Sequence, residues 1–166
     1  TSGSDDVTYL RNVVRLVSGR DGVDGSRVYA VGFSNGGMMA YRLLCDGQLH
    51  LAGIVSVMGT DVAGCQPAAP ASVLHIAGTG DTTVPYDGGR SVAAAVLGVE
   101  MPPVQATLGS LAGELGCARQ PLVTREERGV VRRDWPGCRD DARVELLTLD
   151  GVGHEWPAGN PIDATT

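Results

Sequence analysis

The chain has 166 residues, no lysine, 13 arginines against 19 acidic residues and a formal net charge of −6. Its composition, 43% apolar and 19% charged, is typical of a globular protein, and the length suits a single domain, residues 1–166. Its acidity argues against binding to phosphate backbones, so we expect no nucleic acid as partner. No apolar run is long enough to cross a bilayer, and the first residues lack the pattern of a signal peptide, so we expect no membrane as partner.

Helical and strand-like patterns follow each other in the first half of the chain. A capping aspartate, Asp5 or Asp6, predicts the start of a first helix that ends at Gly19, with apolar positions at helical spacing: Val7, Leu10, Val14 and Val17. Residues 27–32 predict a short buried strand. A helix rich in alanine, methionine and leucine is predicted directly afterwards, over residues 36–46.

Continuous apolar runs predict three further strands, at residues 51–59, 72–78 and 143–149. Residues 88–98 predict a short helix, and a second helix begins after two prolines, with its apolar positions at Val104, Leu108, Leu111 and Leu115. A polar hairpin is predicted around Arg128 and Gly129. Strands without polar alternation suit a parallel sheet covered on both faces, so the expected fold class is α/β, a doubly wound and mostly parallel sheet. In such sheets ligands bind at the carboxyl ends of the strands.

A candidate nucleophile lies where the first predicted strand runs into a helix without a loop. Residues 32–36 read Gly-Phe-Ser-Asn-Gly and match the pattern G-x-S-x-G. In that pattern a sharp turn projects the serine hydroxyl from the top of the sheet, because only small neighbours fit around the strained backbone. The pattern alone is weak in a chain with 24 glycines, and its position at this junction strengthens it. We therefore predict Ser34 as a nucleophile, the alternative being a merely tight glycine turn.

A serine hydroxyl needs a base, and three histidines are available. His50 follows a polar loop and is predicted at the surface. His75 lies within the third predicted strand and is predicted to be a structural core residue. His154 follows the last predicted strand, on a loop that could reach over Ser34. We therefore predict His154 as the base.

The base in turn needs an acid that orients it. Asp81 follows the third predicted strand at the same edge of the sheet, and it gives the chain order nucleophile, acid, base known from hydrolases with this elbow. Asp61 also follows a strand, one closer to the nucleophile strand, and Asp87 lies nearby. Both remain competitors, and Asp81 is the predicted acid.

Three segments carry a resemblance to a known family. RVYAVGFSNGGMMAYRLLC, VLHIAGTGDTTVPYDGG and DGVGHEWPAG resemble the polyhydroxybutyrate depolymerase-like esterases, a secreted α/β-hydrolase family also similar to feruloyl and acetylxylan esterases. The resemblance runs nearly from end to end. It implies an α/β-hydrolase fold, and it implies the roles of nucleophile, acid and base for Ser34, Asp81 and His154.

The four cysteines allow three pairings. Pairing nearest neighbours joins Cys45 to Cys65 and Cys117 to Cys138, and the resemblance implies similar bridges. Each bridge would close a loop of about 20 residues and contribute ~3 kcal/mol in the chain-entropy estimate. Oxidised cysteines imply a secreted or extracytoplasmic protein, whereas four reduced core thiols would imply a cytosolic enzyme. The cysteines and histidines lack zinc-ligand spacing, so we expect no metal and no cofactor.

Ester hydrolysis also requires donors for the oxyanion of the tetrahedral intermediate. The backbone N–H of Asn35 is predicted as the first donor, and the second is expected in a segment before the first helix. Compared with the family, the chain lacks leading strands and a closing helix, so we expect it to be a partial domain. Trp156 and Tyr86 lie near the triad in sequence and are candidates for substrate binding or for an ordinary core role.

These features predict a serine carboxylic ester hydrolase that works through an acyl-enzyme. The resemblance implies polyhydroxyalkanoate or polysaccharide-linked feruloyl or acetyl esters, so the partner would be an ester substrate that can be polymeric. The alternative is a catalytically silent hydrolase-fold piece or a polymer-binding module.

Overall fold

The computed structural model describes residues 5–126 and 129–157. Its first helix, α1, spans Asp6–Ser18, and the Asp5 side chain caps it by accepting a hydrogen bond from the Thr8 N–H at 3.0 Å. Strand β1 spans Tyr29–Phe33 and helix α2 spans Asn35–Asp46, with only Ser34 between them. The predicted direct passage from strand to helix is therefore present.

The remaining elements follow the predicted order. They are β2 (Gly53–Val57), β3 (Ser72–Gly78), α3 (Val92–Leu97), α4 (Val104–Glu114), β4 (Leu122–Arg125), β5 (Val130–Trp135) and β6 (Val144–Leu149). A 3₁₀ turn at Arg139–Asp141 precedes β6. Ser91 caps α3 by accepting from the Ala94 N–H at 3.1 Å. None of the helices in the described ranges is both long and apolar enough to span a membrane.

The strands form one mixed sheet in the order β1-β2-β3-β6-β5-β4. β1, β2, β3 and β6 are parallel, and β5 and β4 are antiparallel to their neighbours. The four strands predicted as the core of the sheet are therefore adjacent. The predicted hairpin is present as β4 and β5, but it extends the same sheet beyond β6, a role that its polar sequence did not indicate. Its turn at Arg128 lies outside the described residues.

The core joins the sheet to its helices. Helices α2 and α4 share one buried cluster with the strands, and most residues of β3 and β6 alternate between buried and half-buried positions. This packing holds the ends of the parallel strands in a common layer, where loops from several strands can meet.

Two disulfides tie loops to this core. Cys45, in α2, is joined to Cys65 in the segment between β2 and β3, and Cys117, after α4, is joined to Cys138. These are the nearest-neighbour pairs.

Candidate active site

The site begins at Ser34, in the turn between β1 and α2. Its backbone has φ 54° and ψ −119°, a conformation that residues other than glycine rarely adopt. The strained residue is held on both sides: its N–H donates to the Val57 carbonyl at 2.8 Å, and its carbonyl accepts from the Met38 N–H at 3.1 Å. The surrounding hydrogen bonds stabilise a conformation that would be unfavourable in an isolated turn.

Close approach of backbones explains the glycines around the turn. A Cβ on Gly32 would overlap the backbone of Gly36, and one on Gly37 would lie 2.5 Å from the Ser56 hydroxyl oxygen and 3.2 Å from the Gly59 Cα. At Gly36 a Cβ would meet nothing within 4 Å. Two of the three elbow glycines are therefore required for packing, and the third is not.

Asp81 follows β3 and is oriented by its own loop. Its side chain is 1% exposed, and Oδ1 accepts from the N–H groups of Thr83 and Val84, both at 2.8 Å. With Oδ1 occupied in this way, Oδ2 points to the ring of His154, whose Nδ1 lies 2.8 Å away. The carboxylate is therefore held by two backbone donors before it contacts the histidine.

His154 joins the acid to the serine. Its Nε2 lies 2.9 Å from Ser34 Oγ, while its Nδ1 contacts Asp81, so the three side chains form one hydrogen-bonded chain. The histidine side chain is 20% exposed. The structure thus brings together Ser34, Asp81 and His154, residues that are up to 120 positions apart in sequence.

Asn35 provides a backbone donor beside Ser34. As the first residue of α2, it has an N–H without an acceptor inside the helix, and the helix of 12 residues directs its positive dipole end to this position. An oxyanion formed next to Ser34 Oγ would be stabilised there.

The two competing aspartates lie elsewhere. Asp61 is buried and turns back on its own loop: Oδ1 accepts from the N–H groups of Ala63 and Gly64 at 3.0 and 3.1 Å, and Oδ2 accepts from Cys65 N–H. Its acceptors therefore organise the loop that carries the first disulfide. Asp87 is exposed.

The other two histidines lie where the sequence predicted them. His50 is exposed, and His75 is fully buried in β3. Its Nδ1 lies 2.8 Å from the Tyr41 hydroxyl. Burial lowers the pKa of His75 to about 4 and raises the pKa of the Tyr41 phenol, so a neutral imidazole and a neutral phenol share this hydrogen bond.

The two candidate substrate-binding residues differ in position. Tyr86 is buried in the core cluster, and its hydroxyl is hydrogen-bonded to Thr148 Oγ1 at 2.9 Å, which gives it a packing role rather than a visible contact with the three site residues. Trp156 is 51% exposed and lies 6.3 Å, between ring centroids, from Phe33. The Phe33 ring in turn lies 5.0 Å from the His154 ring. Phe33 was not among the residues predicted for the site, although its place directly before the predicted nucleophile was a usable signal.

No cluster of three or more potential metal-binding side chains occurs in the part of the chain that the structure describes. The chemistry that the site can supply is that of a hydroxyl, an imidazole, a carboxylate and a backbone donor.

Comparison with known proteins finds sequence relatives and fold neighbours among esterases. No model of a protein family matches the chain. The chain is 32% identical over 169 residues to the protein named "Putative esterase NocK" from Nocardia uniformis subsp. tsuyamanensis and 28% identical over 161 residues to feruloyl esterase B from Piromyces equi. These matches cover 93% and 91% of the chain, but the chain spans only 49% and 29% of the two relatives.

Solved structures show the same fold. The crystal structure of esterase PE8 matches with a TM-score of 0.55 and 23% identity, covering 90% of this chain and 52% of that one. The acetyl xylan esterase from Aspergillus awamori matches with a TM-score of 0.59 and 15% identity, covering 92% of this chain and 63% of that one. The chain therefore has the α/β-hydrolase fold and is related in sequence to proteins named as esterases, among them feruloyl esterase B.

Proposed function

We propose that this chain carries the catalytic residues of a serine carboxylic ester hydrolase. The observation that supports the proposal most directly is the hydrogen-bonded chain from Asp81 through His154 to Ser34, with distances of 2.8 and 2.9 Å. A nucleophile, its base and the group that orients the base are the minimum for covalent acyl transfer. The esterase relatives favour an ester over an amide or a thioester as the bond that is cleaved.

Acylation follows from the positions of these atoms. Ser34 Oγ attacks the carbonyl carbon of the ester while its proton moves to His154 Nε2, and the carbonyl oxygen becomes an oxyanion beside the Asn35 N–H. When the C–O bond of the ester breaks, the alcohol leaves with the proton from Nε2. The acyl group remains on Ser34, and a water molecule activated by His154 then releases it as a carboxylic acid and restores the hydroxyl.

Asp81 keeps the imidazole in the tautomer that these reaction steps require. Its Oδ2 accepts a hydrogen bond from Nδ1–H, which leaves Nε2 free of a proton and directed at the serine. The carboxylate also stabilises the imidazolium that forms during attack. Because two backbone N–H groups already hold Oδ1, the carboxylate needs little reorganisation in that step.

Three substrate classes follow from the resemblance and the relatives' names: polyhydroxyalkanoates, feruloyl-polysaccharides and acetylxylan. They share the same bond chemistry and differ in the acyl and alcohol groups that the site must hold. Trp156, half-exposed near the Phe33 and His154 rings, is a candidate to contact an acyl or alcohol group. Turnover of one representative ester from each class is the measurement that ranks them.

The two disulfides and the secreted family that the sequence resembles support an extracytoplasmic location. The proposed unit is one partial α/β-hydrolase domain, since the relatives are longer than the matched part.

Replacing the nucleophile tests the proposal. Ser34→Ala should lower kcat for a short 4-nitrophenyl ester by about 10⁴-fold or more, because no hydroxyl remains to form the acyl-enzyme. Ser110→Ala, at an exposed position of α4, is the matched control and should leave turnover unchanged. Turnover by Ser34→Ala at the wild-type rate would exclude the mechanism.

A fluorophosphonate probe separates the proposed enzyme from the alternative of a silent or polymer-binding module. The probe should label Ser34 in the wild-type chain and leave Ser34→Ala unlabelled, because labelling needs an activated hydroxyl. A folded wild-type chain that resists labelling would favour the silent module.

A further inference from the structure

The loop that carries His154 has to cross several strands to reach its partner. The histidine follows β6, Ser34 follows β1, and β2 and β3 lie between these strands in the sheet. Three strand spacings amount to about 14 Å. The hydrogen bonds to Asp81 and Ser34 form only while the loop holds the imidazole within reach of both, so the support of this loop bears on catalysis.

Glycines support the middle of the crossing. The carbonyl of Val152 accepts from the Gly80 N–H at 3.0 Å, and a Cβ on Gly78 would overlap that carbonyl. A Cβ on Gly80 would lie 2.7 Å from the Gly151 carbonyl oxygen. The loop therefore rests directly on the backbone at the end of β3, with no room for side chains between them.

An aromatic ring supports the far end. Phe33 is the last residue of β1, its ring lies 5.0 Å from the His154 ring, and the two planes are inclined at 43°. The Trp156 ring lies 6.3 Å from the Phe33 ring, between centroids, at an angle of 58°. Both separations are within the range of favourable ring contacts. The Phe33 ring thus contacts the base and the residue two positions after it in the same loop.

We propose that Phe33 is a positioning residue that holds the His154 imidazole in hydrogen-bonding distance of Ser34. The inference rests on the proposed function and adds a residue to it. The same strand end carries both the nucleophile and the support for its base, so a shift of β1 would move the two together. A displacement of about 1 Å at a reacting group can lower a rate about 100-fold.

Kinetics of Phe33 variants test this role. Phe33→Ala should lower kcat about 10-fold to 100-fold with little change in KM, because the substrate still binds while the base is misplaced. Phe33→Tyr keeps a ring and should restore kcat to nearly the wild-type value, and Phe33→Leu, which keeps apolar packing without a ring, should fall between. Val31→Ala, on the exposed part of the same strand, is the control and should match wild type.

A rise in KM at unchanged kcat would assign Phe33 to substrate binding instead and overturn the positioning role. Wild-type kinetics in Phe33→Ala would also overturn it. If Phe33→Ala gives either of these results while Ser34→Ala is inactive, the positioning role is wrong and the proposed esterase mechanism is still supported.

Chemical modification tests the same role without turnover. Diethyl pyrocarbonate acylates accessible neutral imidazoles, and mass spectrometry reports each of the three histidines separately. In Phe33→Ala, His154 should react severalfold faster than in wild type, while exposed His50 and fully buried His75 keep their rates as internal references. An unchanged ratio of His154 to His50 modification would contradict the proposal.

Discussion

Ser34 has a left-handed backbone, with φ 54°, at the one position where β1 passes into α2. This conformation projects Oγ away from the sheet and toward His154 Nε2, and it leaves the Asn35 N–H at the start of the helix. The strain at one residue thus orients two of the groups that an acyl transfer needs. Its stability comes from neighbours, chiefly the Val57 carbonyl that accepts the Ser34 N–H.

Two buried aspartates follow parallel strands, and their hydrogen bonds distinguish them. Asp61 directs both oxygens to N–H groups of its own loop, whereas Asp81 directs only Oδ1 to its loop and leaves Oδ2 for His154. Residue type, burial and position after a strand are the same for both. The difference lies in the turn that follows each strand.

Asparagine substitutions should separate the two roles. Asp81→Asn should lower kcat about 10⁴-fold, as in other triads, because the amide favours the wrong imidazole tautomer, with little change in the melting temperature. Asp61→Asn removes one charged acceptor from three N–H donors and should lower the melting temperature while kcat changes only slightly. Steady-state kinetics and thermal melts of both variants provide the comparison. The reverse result, with kcat lost in Asp61→Asn, would make Asp61 the acid.

The elbow as an element depends on glycine at particular positions. Gly32 and Gly37 bring β1, α2 and the segment after β2 within contact of one another, which only residues without Cβ allow. Gly36, in the first turn of α2, faces open space and has an ordinary helical backbone. The sequence motif includes Gly32 and Gly36 alike, but only the packing shows which of them the fold requires.

Alanine substitutions test this difference. Gly32→Ala should lower the free energy of unfolding by about 3 kcal/mol or more, because a Cβ there overlaps backbone atoms that cannot move without displacing α2. Gly36→Ala should leave stability unchanged or raise it by up to about 1 kcal/mol, since alanine is the better helix former. Urea unfolding followed by circular dichroism measures both. Equal losses in the two variants would contradict the packing argument.

The hairpin of β4 and β5 was predicted as an element, whereas its place in the sheet was not predicted. Its polar sequence indicated a hairpin, and its pairing with β6 joins it to the sheet. On β5, Trp135 is buried opposite Val144, while Arg132 contacts Asp134 and Glu145 in an ion-pair cluster. One apolar contact and complementary charges decide the docking, and neither has a local signature in the sequence.

At the scale of the whole molecule, a polar contact lies inside the apolar core. Tyr41 on α2 is hydrogen-bonded to His75 on β3, and both side chains are fully buried. The contact joins the helix that begins after Ser34 to the strand that leads to Asp81. Its contribution to stability depends on a neutral His75, whose pKa burial lowers from 6.5 to about 4.

The free energy of unfolding should therefore decline as the pH is lowered through a defined window. Between pH 6.5 and about 4 the unfolded chain binds a proton at His75 that the folded chain excludes. The free energy of unfolding therefore declines as the pH falls, by roughly 3 kcal/mol in total from this group. His75→Gln keeps an acceptor for Tyr41 without titrating, and its unfolding free energy should decline less over the same window. Urea unfolding at several pH values compares it with wild type.

The exposed His50 supplies the control for that experiment. His50→Gln removes an exposed imidazole instead of the buried one and should retain the full wild-type dependence on pH. Identical pH profiles for wild type and His75→Gln would show that the buried histidine does not govern acid stability.

Local patterns in the sequence determined much of this protein. Hydrophobic spacing and capping residues indicated the helices and the parallel strands, and the junction of strand and helix identified Ser34. These features depend on backbone hydrogen bonding and side-chain direction over a few residues, which neighbouring amino acids specify. His154 could be selected because only three histidines occur in the chain.

Tertiary structure alone decided that the hairpin extends the sheet beyond β6, that Tyr86 packs in the core and that the Phe33 ring lies against His154. For the aspartates, the sequence ranked Asp81 above its two competitors, and the fold brings Asp81 against the histidine. These outcomes depend on strand order and on how loops cross the sheet, which join residues up to 120 positions apart. Contacts at that separation reflect the packing of the whole chain, and no short segment of sequence contains the information.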